Sequence, residues 1–171
     1  RIFTYDGTAR TVVLTGLPEG LEAEYHGNEA TEAGVYTASV TFRYDEENYE
    51  PPGPVADHIW EIRPASYDMS GIRWNYTRPF VYDGTEKRIE IENLPEGVSA
   101  VYYGNHETSA GTYAARAAFS VDDPVNYRVP DSETIRWDIL RADHDLSGMR
   151  WKYDGPLVYD GETQTVVLEG I

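Results

Sequence analysis

The chain has 171 residues, 40% of them apolar and 13% aromatic, including 14 tyrosines and 4 tryptophans, which is enough burial material for a folded rather than a disordered chain. With 30 acidic against 14 basic residues the formal charge is -16, which repels phosphate backbones and anionic lipid, so nucleic acid and membrane partners are not expected. The absence of cysteine excludes disulfides, cysteine-ligated zinc and thiol nucleophiles while leaving the compartment open.

No apolar run is long enough to span a bilayer as a helix. The chain opens at Arg1-Ile2-Phe3 with neither a Met nor a signal peptide, and is expected to be an interior piece of a longer protein. Tyr5-Asp6-Gly7 then begins a pattern that returns at Tyr82-Asp83-Gly84 and Tyr159-Asp160-Gly161, spaced by 82 - 5 = 77 and 159 - 82 = 77 residues. Asp-Gly suits a tight hairpin, because both central positions of the favoured turn need positive φ.

Alternation of apolar and polar residues predicts short half-buried strands along the first copy. Val12 and Leu14, then Leu21, Ala23 and Tyr25, then Tyr36, Ala38, Val40 and Phe42, then Trp60 and Ile62 fall on one side. Between them lie the turn formers Pro18-Glu19-Gly20, Gly27-Asn28 and Pro51-Pro52-Gly53-Pro54. The second copy repeats the scheme with Ile89, Ile91, Val98, Ala100, Tyr102, Tyr113, Ala115, Ala117, Phe119, Trp137 and Ile139. All four tryptophans occupy two repeat positions, Trp60 with Trp137 and Trp74 with Trp151, as expected of core anchors. Tyr36, Tyr113, Phe42 and Phe119 are expected in the same core, and no helical pattern is present. The register slips once, where Asn48-Tyr49 answers Asn126-Tyr127 at an offset of 126 - 48 = 78, which predicts a surface loop.

Pro64-Ala65-Ser66 and Arg141-Ala142-Asp143 interrupt the alternation before segments that read as opening strands, Tyr67 to Trp74 and His144 to Trp151. The division is therefore 1–64, a first unit lacking its opening strand; 65–141, a complete second unit; and 142–171, the opening strands of a third. Linkers this short predict touching units and a semi-rigid rod.

The order of Tyr82-Asp83-Gly84, Leu94-Pro95-Glu96-Gly97, Tyr102-Tyr103-Gly104-Asn105, Ala110-Gly111-Thr112-Tyr113 and Asn126-Tyr127, with the closing string seen at Asp68-Met69-Ser70-Gly71-Ile72-Arg73-Trp74, resembles the bacterial MBG (mostly beta, glycine-rich) and YDG repeat families along essentially the whole chain. The resemblance implies an extracellular, tandemly repeated β module of adhesin-like or cell-wall-anchored proteins, without catalytic residues. It also implies an immunoglobulin-like sandwich, in keeping with six or seven strands per unit; a β-grasp-like module is the alternative.

No constellation of polar residues stands outside the periodicity. His26, His58, His106 and His144 are not repeat-equivalent, no Gly-x-Ser-x-Gly or phosphate loop occurs, and Lys87 and Lys152 align with Arg10 and Asn75, which argues against an intramolecular isopeptide bond. The chain is expected not to be an enzyme and to carry no cofactor. Calcium is the metal to weigh: Asp45, Glu46, Glu47 and Asn48, and Asp122, Asp123 and Asn126, bring oxygen ligands into one interstrand loop of both units, without EF-hand spacing. A solvated acidic turn is the plainer reading of those loops. Tyr44, Tyr49, Tyr103 and Tyr127 fall in or beside loops and could stack on sugar faces.

The function expected from these features is a structural spacer whose partners are neighbouring repeats, the alternative being an adhesive module that itself binds a host glycan or protein. Strand exchange with another copy is a further expectation. Leu146 to Trp151 belongs to a unit with no body, and the first unit lacks that strand.

Overall fold

The computed structural model describes residues 1–170. It is all-β, and among the described residues there is no helix. Two four-stranded sheets dominate. In the first, Ile2–Thr4 runs parallel to His58–Arg63, which pairs antiparallel with Gly34–Arg43, which in turn pairs antiparallel with Glu22–His26. In the second, Phe80–Val81, Glu133–Leu140, Gly111–Val121 and Val98–Tyr103 follow the same order and the same directions. Each sheet is faced by a short antiparallel pair, Arg10–Thr11 with Glu29–Ala30 and Lys87–Arg88 with His106–Glu107.

The recurring motifs have concrete work in this scaffold. The carbonyl of Gly27 accepts the Trp60 indole N–H at 3.1 Å, and that of Gly104 accepts the Trp137 indole N–H at the same distance. The following asparagine ties the opposite strand: Asn105 accepts from the Ile89 backbone N–H at 2.8 Å through its own carbonyl and donates its side-chain amide to the Ile89 carbonyl at 2.9 Å. Asn28 does the same with Val12. At this point the chain leaves one sheet for the other, with Gly27 at φ 66° and Gly104 at φ 65°. A side chain on either glycine would run into the backbone of Thr37 or Ala114. The Ala-Gly-x-Tyr motif is equally specific. The Tyr36 hydroxyl donates to the Glu32 carbonyl at 2.7 Å and Tyr113 to the Ser109 carbonyl at 2.8 Å, each ring lying over the intervening glycine.

The aspartate-glycine turns are not hairpins, contrary to the sequence-based expectation. Strand Ile2–Thr4 pairs with His58–Arg63, whereas Arg10–Thr11 pairs with Glu29–Ala30, so Asp6-Gly7 links two different sheets. Asp6 holds the turn by accepting from the Thr8 backbone N–H at 3.0 Å and the Thr8 hydroxyl at 2.6 Å, and Asp83 does so with Thr85. A two-residue hairpin would need positive φ at both centres, and only the glycine has it.

The core also differs between the halves. Val12, Ala38, Trp60 and Ile62 form one buried cluster in the first. The second has the matching cluster of Ile89, Ala115, Trp137 and Ile139, and a further one of Ile91, Val98, Ala117 and Phe119. That further cluster is covered by Tyr67, Met69, Ile72 and Trp74, with Arg73–Trp74 paired to Ile91–Glu92. Trp60 and Trp137 are buried, while Tyr36, Tyr113 and Phe42 are half-buried. Trp151 is not a core anchor. It is 63% exposed in a hairpin of Arg150–Lys152 with Val167–Glu169, because no further strand lies against that hairpin among the described residues.

Candidate functional site

The most developed polar arrangement lies where the two halves meet, in the loop Asp122 to Arg128. It begins as a local turn: Asp123 accepts the Asn126 backbone N–H at 3.1 Å and the Asn126 side-chain amide at 2.8 Å, while its carbonyl accepts the Tyr127 N–H at 3.0 Å. Asn126 then reaches into the first half. Its side-chain oxygen accepts the Ala33 backbone N–H at 2.7 Å, its amide donates to the Glu32 carboxylate as well as to Asp123, and its backbone carbonyl accepts the Ala65 N–H at 2.8 Å. Only 3% of Asn126 is exposed, yet its side-chain oxygen and both amide protons have partners, which is what permits so polar a residue to be buried.

Aromatic rings complete the junction. Tyr127 stacks on Tyr67 at 4.5 Å and meets Tyr5 edge-on at 5.6 Å, and Tyr127–Arg128 pairs in parallel with Ala65–Ser66. Burial pushes the Tyr5 hydroxyl above its ordinary value, with the charges of Glu32 and Asp123 adding to it. The Tyr67 hydroxyl is raised by burial first and then by Tyr127. The Asp123 carboxyl is held below the ordinary carboxylate range by the hydrogen bonds from Asn126.

This arrangement revises two sequence-based expectations. The loop in which the register slips is a surface loop in the first half, whereas in the second it buries Asn126 at the junction while Asp122, Pro124, Val125 and Arg128 stay exposed, and Tyr127 is occupied between two rings rather than free to stack on a sugar. Of the other loop tyrosines, Tyr49 and Tyr103 are 70% and 59% exposed, and Tyr44 is half-buried. Repetition of Asn48-Tyr49 as Asn126-Tyr127 was the available signal for the junction, but which side chains they would meet lies 93 residues away in the chain.

The calcium candidates are placed as follows. Asp45 accepts the Glu47 backbone N–H at 3.0 Å and the Asn48 side-chain amide at 2.6 Å, and these bonds lower its carboxyl below the ordinary range, Asn48 contributing most. Glu46 and Glu47 are exposed. Asp122 is exposed and its backbone N–H donates to Gly97, while Asp123 and Asn126 serve the junction. Among the described residues no three His, Asp or Glu side chains come together in a way that could hold a metal ion.

The chain matches no family model, no curated protein and no solved structure.

Proposed function

We propose that the chain is a non-catalytic structural repeat, a stalk or spacer of a bacterial cell-surface or secreted adhesin-like protein. The observation that carries this reading is the buried Asn126, which ties the backbone at Ala33 to the backbone at Ala65 across the junction. A linker this short brings successive sheets into contact, and a satisfied, desolvated amide flanked by three packed tyrosine rings fixes their mutual direction. A spacer needs that property, since a chain of fixed junctions projects whatever it carries at a defined distance.

The units are read as immunoglobulin-like modules of 77 residues. What supports this is the parallel pairing of an early strand with the last one, and the tyrosine whose hydroxyl bonds a carbonyl four residues upstream, a feature resembling the tyrosine corner of such sandwiches. Surface location rests on the resemblance of the motif order to MBG and YDG repeats.

Small-angle scattering and NMR relaxation of the whole chain test the reading. The two halves tumble together in the parent and gain independent motion in Asn126→Ala. Independent tumbling in the parent overturns the rigid spacer, and specific retention of a host glycan or protein by the isolated chain replaces it with an adhesive module.

A further inference from the structure

We propose that the outer face of the second four-stranded sheet is a binding site for an acidic polysaccharide, a sugar chain whose rings carry carboxylates. In Val98–Tyr103, Gly111–Val121 and Glu133–Leu140 alternate side chains point away from the core, and the register decides which of them adjoin. Tyr103 lies opposite Arg116, Arg116 opposite Thr134, and Ala114 opposite Arg136. Arg116 and Arg136 are therefore diagonal neighbours, about 7 to 8 Å apart at the backbone and within reach of each other through their long side chains. Both arginines, Ala114 and Thr134 are exposed, and Tyr103 is 59% exposed, so the patch is open to solvent.

Most lysines and arginines of the chain pair with a carboxylate, yet among the described residues neither Arg116 nor Arg136 makes an ion pair, although acidic residues outnumber basic ones by 30 to 14. Asp138, next on that face along the strand from Arg136, is engaged by the Thr112 hydroxyl at 2.6 Å instead. The fold does not need the two cations. Since 116 - 77 = 39 and 136 - 77 = 59, the first half carries Ser39 and Ile59 at these places under the same strand pairing, with His26 where Tyr103 stands and Arg43 of its outer face taken up by Glu24. Two like charges held side by side on a sheet repel each other, and an anion bridging them removes that cost. A guanidinium grips a carboxylate through two parallel hydrogen bonds, and two guanidiniums in a row match charges that repeat along a polymer. Tyr103 adds a ring face on which a sugar can lie and a hydroxyl at its tip, while Ala114 and Ala118 keep the surface low beside it. The formal charge of -16 opposes approach only at long range, because salt at about 0.15 M screens it beyond about 8 Å. The patch is built from strands and not from the junction loop, so in a stalk it meets polymer lying alongside; for that surface setting the inference rests on the spacer reading.

Titration of the full, isotope-labelled chain with oligogalacturonate, followed by NMR, reads the outcome. The expected result is saturable movement of the Tyr103, Arg116 and Arg136 amide signals. The same oligomer with its carboxylates methyl-esterified should bind at least about tenfold more weakly. So should the parent oligomer on an Arg116→Ser, Arg136→Ile double variant, which places on the second sheet the residues of the first; an unmoved Trp137 indole signal shows that this variant is folded, and if it is not, the esterified oligomer decides alone. Signals at these three residues that do not move, binding undiminished in the folded variant, or an esterified oligomer that binds equally well overturns the proposal. Polyglutamate binding as tightly as the sugar acid also overturns it, in favour of an acidic peptide. None of these readouts involves Asn126: lost binding with the halves still tumbling together leaves the spacer reading standing, and independent tumbling with binding intact does the reverse.

Discussion

The loops at Asn48-Tyr49 and Asn126-Tyr127 are built alike and placed differently. In both, an aspartate three residues before the asparagine accepts its side-chain amide, and the aspartate carbonyl accepts the tyrosine N–H at 3.0 Å. Yet Asn126 is buried and Tyr127 lies between two rings, while Asn48 is exposed and Tyr49 is 70% exposed. The turn therefore forms without a partner. Docking adds contacts to a conformation already present, so little ordering entropy opposes it. Tyr82, the counterpart of the half-buried Tyr5, is 44% exposed.

Features shared by the halves should respond alike, and features that differ should not. The largest shared effect belongs to the crossover glycines. Gly27→Ala and Gly104→Ala each combine positive φ with a backbone collision, and each should cost about 3 kcal/mol in denaturant unfolding. A large difference between the two would mean the halves are less alike than their pairing indicates.

Tryptophans separate the halves. Trp74→Ala should cost about 2 to 3 kcal/mol, because it strips the cover from Ile91 and Ala117, whereas Trp151→Ala in dilute solution should stay within about 0.5 kcal/mol. Equal costs would show that the third hairpin is packed.

The junction gives the next contrast. Asn126→Ala leaves the Ala33 N–H without its partner and should cost about 2 kcal/mol, against about 0.5 kcal/mol or less for Asn48→Ala. Hydrogen exchange at Ala33 reads the effect directly, its protection falling in the first variant and holding in the second. Smaller still is the contrast of Gly97→Ala with Gly20→Ala. Both sit at positive φ, 84° and 83°, but only at Gly97 would a new methyl lie 2.6 Å from a hydroxyl, that of Tyr67. An excess of about 1 kcal/mol is expected for Gly97→Ala in the same unfolding assay.

Acid supplies the mildest test. The folded-state acidities of Asp45 and Asp123 are both shifted below the ordinary carboxylate range by hydrogen bonds from their asparagines. A depressed folded value means that each contributes stability fully present above the unfolded carboxylate pKa of about 4 and lost as pH falls through the folded value. NMR titration of the carboxyl carbons should place both midpoints below the ordinary carboxylate range. The Ala33 amide signal should follow the Asp123 titration and ignore that of Asp45; an Ala33 signal blind to Asp123 would uncouple the turn from the junction.

Much of this was readable from the residues, where the cause is local. Alternation around Tyr36 to Phe42 and Tyr113 to Phe119 marks strands because side chains two apart share a face. The recurrence of Gly27-Asn28 and Gly104-Asn105 marks a backbone that must pass through positive φ. The aspartate-glycine turns were legible as turns but not as crossings between sheets, because a turn type does not specify the partners of the strands it joins.

What the sequence determined by itself is the repeating set of short-range devices: the aspartate turns, the tyrosine over its glycine, and the asparagine loop, each closed within a few residues. What only the tertiary structure decided is which copies of those devices are used. Asn126 is buried because Glu32 and Ala33 come to it from far away in the chain, and Trp74 is packed while Trp151 is not because only one of them lies against a sheet. Identical local energies give different environments wherever burial depends on a neighbour, and the neighbour is a property of the assembled fold rather than of the repeat.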